Sequence, residues 1–174
     1  MRLLFLGDVV GKSGCEAIEK YLPDVLNNNS IDFTIVNGEN AAPEGVGITK
    51  KISNNFFKKG VNVITTGNHV WDQKETIEHI EYEERLLRPE NLIKPSPGKG
   101  FKIYNFKNKY KIGVLNLMGN IFMKKCDNVF DISEDEELNF LKSSFMLLKD
   151  LVNGSLMLIE VFISVYSFSK SRLF

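Results

Sequence analysis

Hydrophobic and polar positions alternate along the first part of the chain in blocks that predict strands and helices in turn. Short apolar runs at residues 2–7, Phe33–Asn37 and Val61–Thr66 predict buried strands. Helical spacing predicts helices between them, at Ser13–Leu26 and Thr49–Lys59. This β-α-β-α-β series favours a parallel sheet with right-handed crossovers, covered by helices, and places the chain in the α/β class.

Local signals support the helix ends. Ser13, followed three residues later by Glu16, is typical of a capping box, and Gly60 closes the second helix. A third helix is predicted at Asp72–Glu84, with Trp71 and Asp72 stapling and capping its start. Trp71 lining a pocket is the alternative.

The pattern changes in the second half of the chain. Pro89–Gly100 carries three prolines and predicts a loop, and Phe101–Phe106 with Lys111–Leu117 predict a hairpin. Ser133–Leu151 predicts an amphipathic helix that opens with acidic residues. Leu156–Phe168 is apolar and β-branched, which favours a buried strand, because it is shorter than a membrane span of roughly 20 residues.

Composition excludes several classes of protein. Lys plus Arg and Asp plus Glu both total 22, so no overall field favours nucleic acid or an anionic membrane. Cys15 and Cys126 are far apart, which is typical of reduced thiols in a cytoplasmic protein. Asp8 interrupts the first apolar run too early for a signal peptide. We therefore expect a cytoplasmic protein that does not enter the membrane.

Polar side chains follow all three predicted parallel strands. Carboxyl ends of parallel strands meet at one edge of a sheet, where open α/β sheets bind ligands. The side chains delivered to this edge are Asp8, Glu39, Asn40, Asn68 and His69. Carboxylate, amide and imidazole groups suit a hard or borderline divalent cation, and two cations if a carboxylate bridges them.

Two other candidates compete with this site. The segment Gly7–Ser13 is close to the phosphate loop of nucleotide triphosphatases, but it has one residue too few between its first glycine and Gly11-Lys12-Ser13. His79 lies among Glu75, Glu78 and Glu81 on the third predicted helix, which favours a solvated histidine over a metal ligand.

Five motifs in order resemble the YmdB-like metallophosphoesterases, a group of calcineurin-like dinuclear phosphoesterases that act on 2′,3′-cyclic nucleotides among other phosphodiesters. They are M-R-L-L-F-L-G-D-V-V-G-K-S-G at residues 1–14, V-N-G-E-N-A-A at 36–42, G-N-H-V-W-D at 67–72, R-P-E-N at 88–91 and P-G-K-G at 97–100. The resemblance implies a metallophosphoesterase-like α/β sandwich.

The resemblance also implies a role for each residue of the site. Asp8 and Asn40 would bind one metal ion, Glu39 would bridge to a second, and Asn68 would bind that second ion. His69 would donate a proton to the leaving oxygen. Two divalent ions, iron or manganese, and a phosphodiester or cyclic-nucleotide substrate are implied with them.

The family supplies further histidine ligands from a later part of its sequence, whereas this chain has only His69 and His79. We therefore expect residues 1–150 to form the N-terminal part of a truncated metallophosphoesterase domain, and the apolar tail at 151–174 to lie outside the family pattern. An incomplete enzyme could be complemented by a separate C-terminal half or could associate with itself through an exposed sheet edge. The alternative is a catalytically dead interaction fragment that binds cations weakly.

Overall fold

The computed structural model of the chain describes residues 1–92, 95–107, 110–119, 126–127 and 160–167, the last range for its backbone only. In chain order the elements are β1 Leu3–Leu6, α1 Gly11–Asn28, β2 Phe33–Asn37, α2 Lys50–Lys58, β3 Val63–Thr65, α3 Lys74–Tyr82, β4 Leu86–Leu87, β5 Phe101–Phe106, β6 Tyr110–Leu117 and β7 Glu160–Ser167.

The strands form two sheets. The first is parallel, in the order β1-β2-β3-β4, and the second is antiparallel, in the order β5-β6-β7. The predicted α/β class, the β-α-β-α-β start and the later hairpin are therefore confirmed. The two-residue strand β4 was not predicted, because so short a segment carries no periodicity of its own.

Alternation along the parallel strands sends side chains to two separate cores. On one face, Val36 and Ile64 pack with Ile18 of α1, Phe56 of α2 and Ile80 of α3. This face is covered by all three helices.

The opposite face of the parallel sheet packs on the second sheet. Phe33, Ile35 and Val63 contact Ile112 and Val114 of β6. The result is a sandwich in which the parallel sheet is buried on both sides, as its apolar strands require.

The helix boundaries correct part of the sequence analysis. Thr49, the first residue of the predicted second helix, is the N-cap of α2 and accepts a hydrogen bond from the backbone N–H of Ile52 at 3.2 Å. The capping box at Ser13 is wrong, because α1 begins at Gly11 after Val10, with no side-chain cap. The backbone N–H of Gly11 donates to the carbonyl of Asn40 at 2.8 Å, so a tertiary contact sets the start of this helix.

Two predictions concern the last part of the chain. The strand predicted at Leu156–Phe168 contains β7, which pairs antiparallel with β6. The helix predicted at Ser133–Leu151 lies outside the described residues. The side chains of β7 are not described either, so the predicted burial of this strand stays a prediction. Among the described residues, no helix combines the length and apolar character needed to cross a lipid bilayer.

The prediction that His79 is solvated is wrong. His79 is 9 % exposed, because α3 turns it toward α2, where its Nε2 lies 2.9 Å from Oγ of Ser53. Burial lowers the pKa of His79 below its ordinary value of 6.5, and Glu83 opposes that shift. The surrounding glutamates in the sequence indicated a solvated face, but position 79 shares the buried face with Thr76 and Ile80.

We expect the thermal stability of the protein to fall as the pH is lowered below about 6.5. In that range the unfolded chain binds a proton at His79 while the folded protein keeps the imidazole neutral, so protonation favours unfolding. Melting temperatures measured from pH 5 to 7.5 test this, with His79→Gln as the control that cannot titrate. Parallel pH curves for the two proteins would contradict it.

Candidate active site at the carboxyl edge of the parallel sheet

The structure brings the polar residues after β1, β2 and β3 to one edge of the parallel sheet. The side-chain amide of Asn40 donates to Oδ1 of Asp8 at 2.8 Å. The backbone N–H of His69 donates to Oε1 of Glu39 at 3.2 Å. These contacts link the three strand ends, so the convergence predicted from the sequence is observed.

Asp8 and Asn40 form the exposed side of this cluster. Asp8 adopts a left-handed backbone conformation, with φ of 43°, which turns the chain sharply after β1. The next residue, Val9, donates its N–H to the carbonyl of Asn37 at 3.0 Å, which holds this turn against the end of β2. Because Asn40 uses its amide nitrogen toward Asp8, its amide oxygen is left to act as a ligand.

Glu39 is the buried member of the cluster, with 4 % of its surface exposed. Burial raises the pKa of the Glu39 carboxyl, while hydrogen bonds from the backbone amides of His69 and Asn68 act in the opposite direction. A cation beside this carboxylate would favour its charged form and offset the cost of burial. The Glu39 carboxyl is thus a buried acidic group whose ionised form is stabilised, among the described residues, only by two backbone amides and His69.

Gly67 makes room for this carboxylate. A β carbon at Gly67 would overlap the carboxyl group of Glu39. The glycine of the G-N-H-V-W-D motif is thus required by close packing, since any side chain there would displace Glu39.

The imidazole of His69 is in contact with the carboxylate of Asp72. Its Nδ1 lies 2.5 Å from Oδ2 of Asp72, and both side chains are partly exposed. If Nδ1 carries the proton donated to Asp72, Nε2 is the nitrogen free to face a substrate. The predicted cap role of Asp72 is wrong, because α3 begins later, after Gln73, with no side-chain cap. Trp71 packs against the core on the helix side of the sheet.

The sequence analysis missed two asparagines that hold β6 against this edge. Asn116 donates to the backbone carbonyls of Thr66 and Leu87 at 2.9 and 3.1 Å. Asn91 donates to the carbonyl of Met118 at 2.7 Å and accepts from its N–H at 2.9 Å. Asn91 belongs to the R-P-E-N motif, whereas the signal for Asn116 was a lone amide inside an apolar strand.

The structure gives no support to a phosphate loop at Gly7–Ser13. The backbone N–H of Gly11 donates a hydrogen bond to the carbonyl of Asn40. Nζ of Lys12 lies 3.7 Å from a carboxylate oxygen of Glu16 on the surface of α1. Neither group is arranged to cradle a phosphate.

The side chains at the sheet edge carry the types of oxygen ligand that divalent cations prefer, namely two carboxylates and two amide oxygens. Across the described part of the chain, however, no group of three or more His, Cys, Asp and Glu side chains is placed to hold a metal ion.

Comparison with known proteins gives the family. The sequence model of the YmdB-like proteins matches residues 4–149. The chain belongs to the YmdB-like protein family. Over 130 residues it is 42 % identical to the 2′,3′-cyclic-nucleotide 2′-phosphodiesterase of Bacillus subtilis strain 168, a match that covers 75 % of this chain and 48 % of that protein.

Two solved structures share the fold of this YmdB-like chain. A hypothetical protein from Thermus thermophilus matches with a TM-score of 0.70 and 35 % identity, covering 82 % of this chain and 53 % of its own. A novel phosphatase from Mycoplasma pneumoniae matches with a TM-score of 0.68 and 34 % identity, covering 80 % and 50 %. The chain spans about half the length of the curated relatives it matches.

Proposed function

We propose that this YmdB-like chain carries the N-terminal part of a metal-dependent phosphodiesterase site. The observation that carries the proposal is the meeting of the β1, β2 and β3 ends, through the Asn40–Asp8 and His69–Glu39 hydrogen bonds. This arrangement brings carboxylate and amide groups close to His69, whose ring contacts the carboxylate of Asp72.

Four side chains are the proposed ligands. Asp8 and Asn40 would hold one divalent ion, Glu39 would lie between two, and Asn68 would hold the second. We propose iron or manganese as the metal. Two such ions, when bound, polarise a phosphoryl group and supply a hydroxide nucleophile at neutral pH.

His69 is the proposed proton donor. An alkoxide leaving from phosphorus is a strong base, so a general acid within hydrogen-bond reach lowers the barrier to its departure. The contact between Nδ1 of His69 and Asp72 supports this role, because it holds the ring and leaves Nε2 for the proposed substrate.

The substrate class is proposed from the relatives. The name of the Bacillus subtilis relative describes hydrolysis of a 2′,3′-cyclic nucleotide. In such a reaction the leaving group is a ribose oxygen, whose high basicity gives His69 a necessary task. We therefore propose phosphodiesters of this kind as substrates.

The proposed site needs ligands beyond those described. Two metal ions with four protein side chains between them would be held weakly, so we expect the chain by itself to be inactive. We propose that a complementing polypeptide supplies the remaining ligands. A second copy of this chain is a weaker candidate, because it would bring the same incomplete set.

The test is reconstitution. The chain is mixed with the second half of the Bacillus subtilis relative and assayed for hydrolysis of 2′,3′-cyclic AMP with Mn²⁺ or Fe²⁺. We expect turnover with both polypeptides and metal, and none with either polypeptide alone or after chelation. A folded, metal-loaded pair with no turnover would contradict the proposal.

The incomplete ligand set also favours a second candidate function, a catalytically dead fragment that binds cations weakly. Calorimetry with Mn²⁺ separates the two. Millimolar binding by the isolated chain agrees with both, but tight binding of two equivalents would exclude the dead fragment, and reconstituted turnover would exclude it as well.

A further inference from the structure

Three buried polar side chains lie on facing strands of the two sheets, and one of them, Asn37, is bonded to the backbone of Glu39 in the candidate site. Asn37 and Thr65 are register partners on β2 and β3, and Asn116 lies on β6. They are 1 %, 0 % and 0 % exposed. Each lies two positions after an apolar residue of the layer between the sheets, namely Ile35, Val63 or Val114. Because side chains alternate along a strand, all three face the same layer.

Each of these side chains has one polar atom without a hydrogen-bond partner among the described residues. The atoms are Nδ2 of Asn37, Oγ1 of Thr65 and Oδ1 of Asn116. An unpartnered polar atom away from solvent costs about 1–3 kcal/mol, and native proteins contain few of them. Asn37 and Thr65 are neighbours in the parallel sheet, and Asn116 is bonded to the carbonyl of Thr66, the residue after Thr65, so a shared partner accounts for all three atoms.

The orientations of the two amides are fixed by their other bonds. Oδ1 of Asn37 accepts the backbone N–H of Glu39 at 3.1 Å, so Nδ2 is the free end of that amide. Nδ2 of Asn116 donates to the carbonyls of Thr66 and Leu87, so Oδ1 is the free end of that one. The cluster therefore presents one donor, one acceptor and one hydroxyl that can do either.

We propose that Asn37, Thr65 and Asn116 bind a single internal water molecule. The water accepts a hydrogen bond from Nδ2 of Asn37, donates one to Oδ1 of Asn116 and forms a third with Oγ1 of Thr65. Buried waters typically make about three hydrogen bonds to polar groups that would otherwise be unpaired.

The donor set excludes the other small ligands. A metal cation would meet the N–H group of Asn37, and an anion would meet the carbonyl oxygen of Asn116. Neither can satisfy both ends of the cluster, whereas a neutral water donates and accepts.

The water site has a consequence for the position of Glu39. A water bound to Nδ2 keeps the amide of Asn37 turned so that Oδ1 holds the backbone of Glu39. The carbonyl of Asn37 also accepts the N–H of Val9, next to Asp8. The side chain of Asn37 thus holds the backbone of one proposed ligand, and its main chain holds the residue after another. The water site itself does not depend on the proposed function.

Two neighbouring threonines give a matched test. Oγ1 of Thr66, which is also buried, donates directly to the carbonyl of Leu87 at 2.9 Å. Thr66→Val removes this known hydrogen bond, while Thr65→Val removes a hydroxyl whose proposed partner is the water. We expect both variants of the full chain to melt at lower temperature, each by roughly 2 to 4 °C.

An unpartnered hydroxyl at Thr65 would give the opposite sign, since replacing it with a methyl group relieves the cost of burying it. A rise in melting temperature for Thr65→Val would overturn the proposal. A high-resolution crystal structure of the chain is the second measurement. Electron density for one water in contact with all three side chains is expected, and a dry cluster would overturn the proposal even if the variants failed to fold.

Discussion

Replacing His69 with alanine will lower the reconstituted hydrolysis of 2′,3′-cyclic AMP by about 10² to 10⁴-fold, the contribution of a well-placed general acid. The effect will fall on turnover rather than on substrate affinity, because the proton is needed only as the leaving oxygen departs. The His69 side chain is only partly buried, so its removal should leave the fold intact.

A second substrate separates proton donation from other roles of His69. A phosphodiester with a p-nitrophenolate leaving group needs little protonation, so we expect His69→Ala to slow its hydrolysis far less. Equal losses with both substrates would contradict the role of His69 as proton donor.

The same experiment with Asp72→Asn should give a smaller loss of activity on the cyclic nucleotide than His69→Ala gives. The imidazole is still present in this variant, but it has lost its carboxylate partner. Asp24→Asn, the same change at an exposed position on α1, is the control.

Replacing Gly67 with alanine will disrupt the site although the added methyl group carries no charge. A β carbon at this position overlaps the carboxyl group of Glu39, which is buried and cannot move aside freely. We expect the free energy of unfolding to fall by about 1–3 kcal/mol, the usual cost of overpacking. We also expect affinity for Mn²⁺ to fall, because the displaced carboxylate is the proposed bridging ligand.

Gly7→Ala is the matched control for this change. Gly7 also follows a parallel strand next to a proposed ligand, but a β carbon there would meet only Cε1 of Phe5, at an ordinary contact distance of 3.7 Å. Chemical denaturation and calorimetry with Mn²⁺ should show a near-neutral effect for Gly7→Ala. If Gly7→Ala and Gly67→Ala change the stability and the Mn²⁺ affinity equally, the close packing of Glu39 against Gly67 does not stabilise the site.

Much of the site could be predicted from the sequence because its chemistry is local. Asp8 alone is also explained by a turn, and Asn68 with His69 by a loop, but polar residues after three successive apolar strands together indicate a ligand site at a sheet edge. The parallel order of those strands follows from the helices between them, so convergence required no knowledge of distant contacts. Their roles as ligands and as a proton donor stay predictions.

Residues whose partners are distant in the sequence were harder to interpret. His79 was predicted to be solvated from its neighbours, but its environment comes from Ser53 on another helix. Asn116 is a lone amide inside an apolar strand, but its partners on β3 and β4, like the burial of Asn37, become apparent only when the two sheets are placed face to face.

The sequence by itself determined the α/β class, the order of the first elements and the edge at which the polar residues meet, since these depend on periodicity and on short connections along the chain. Only the tertiary structure decided where α1 begins, which carboxylate orients His69, why position 67 must be glycine and how Asn37 is held. The start of α1 and the glycine at position 67 depend on Asn40 and Glu39, which are distant in the sequence and are brought close by packing. The His69–Asp72 and Asn37–Glu39 contacts join close neighbours, but they depend on backbone turns that periodicity does not predict.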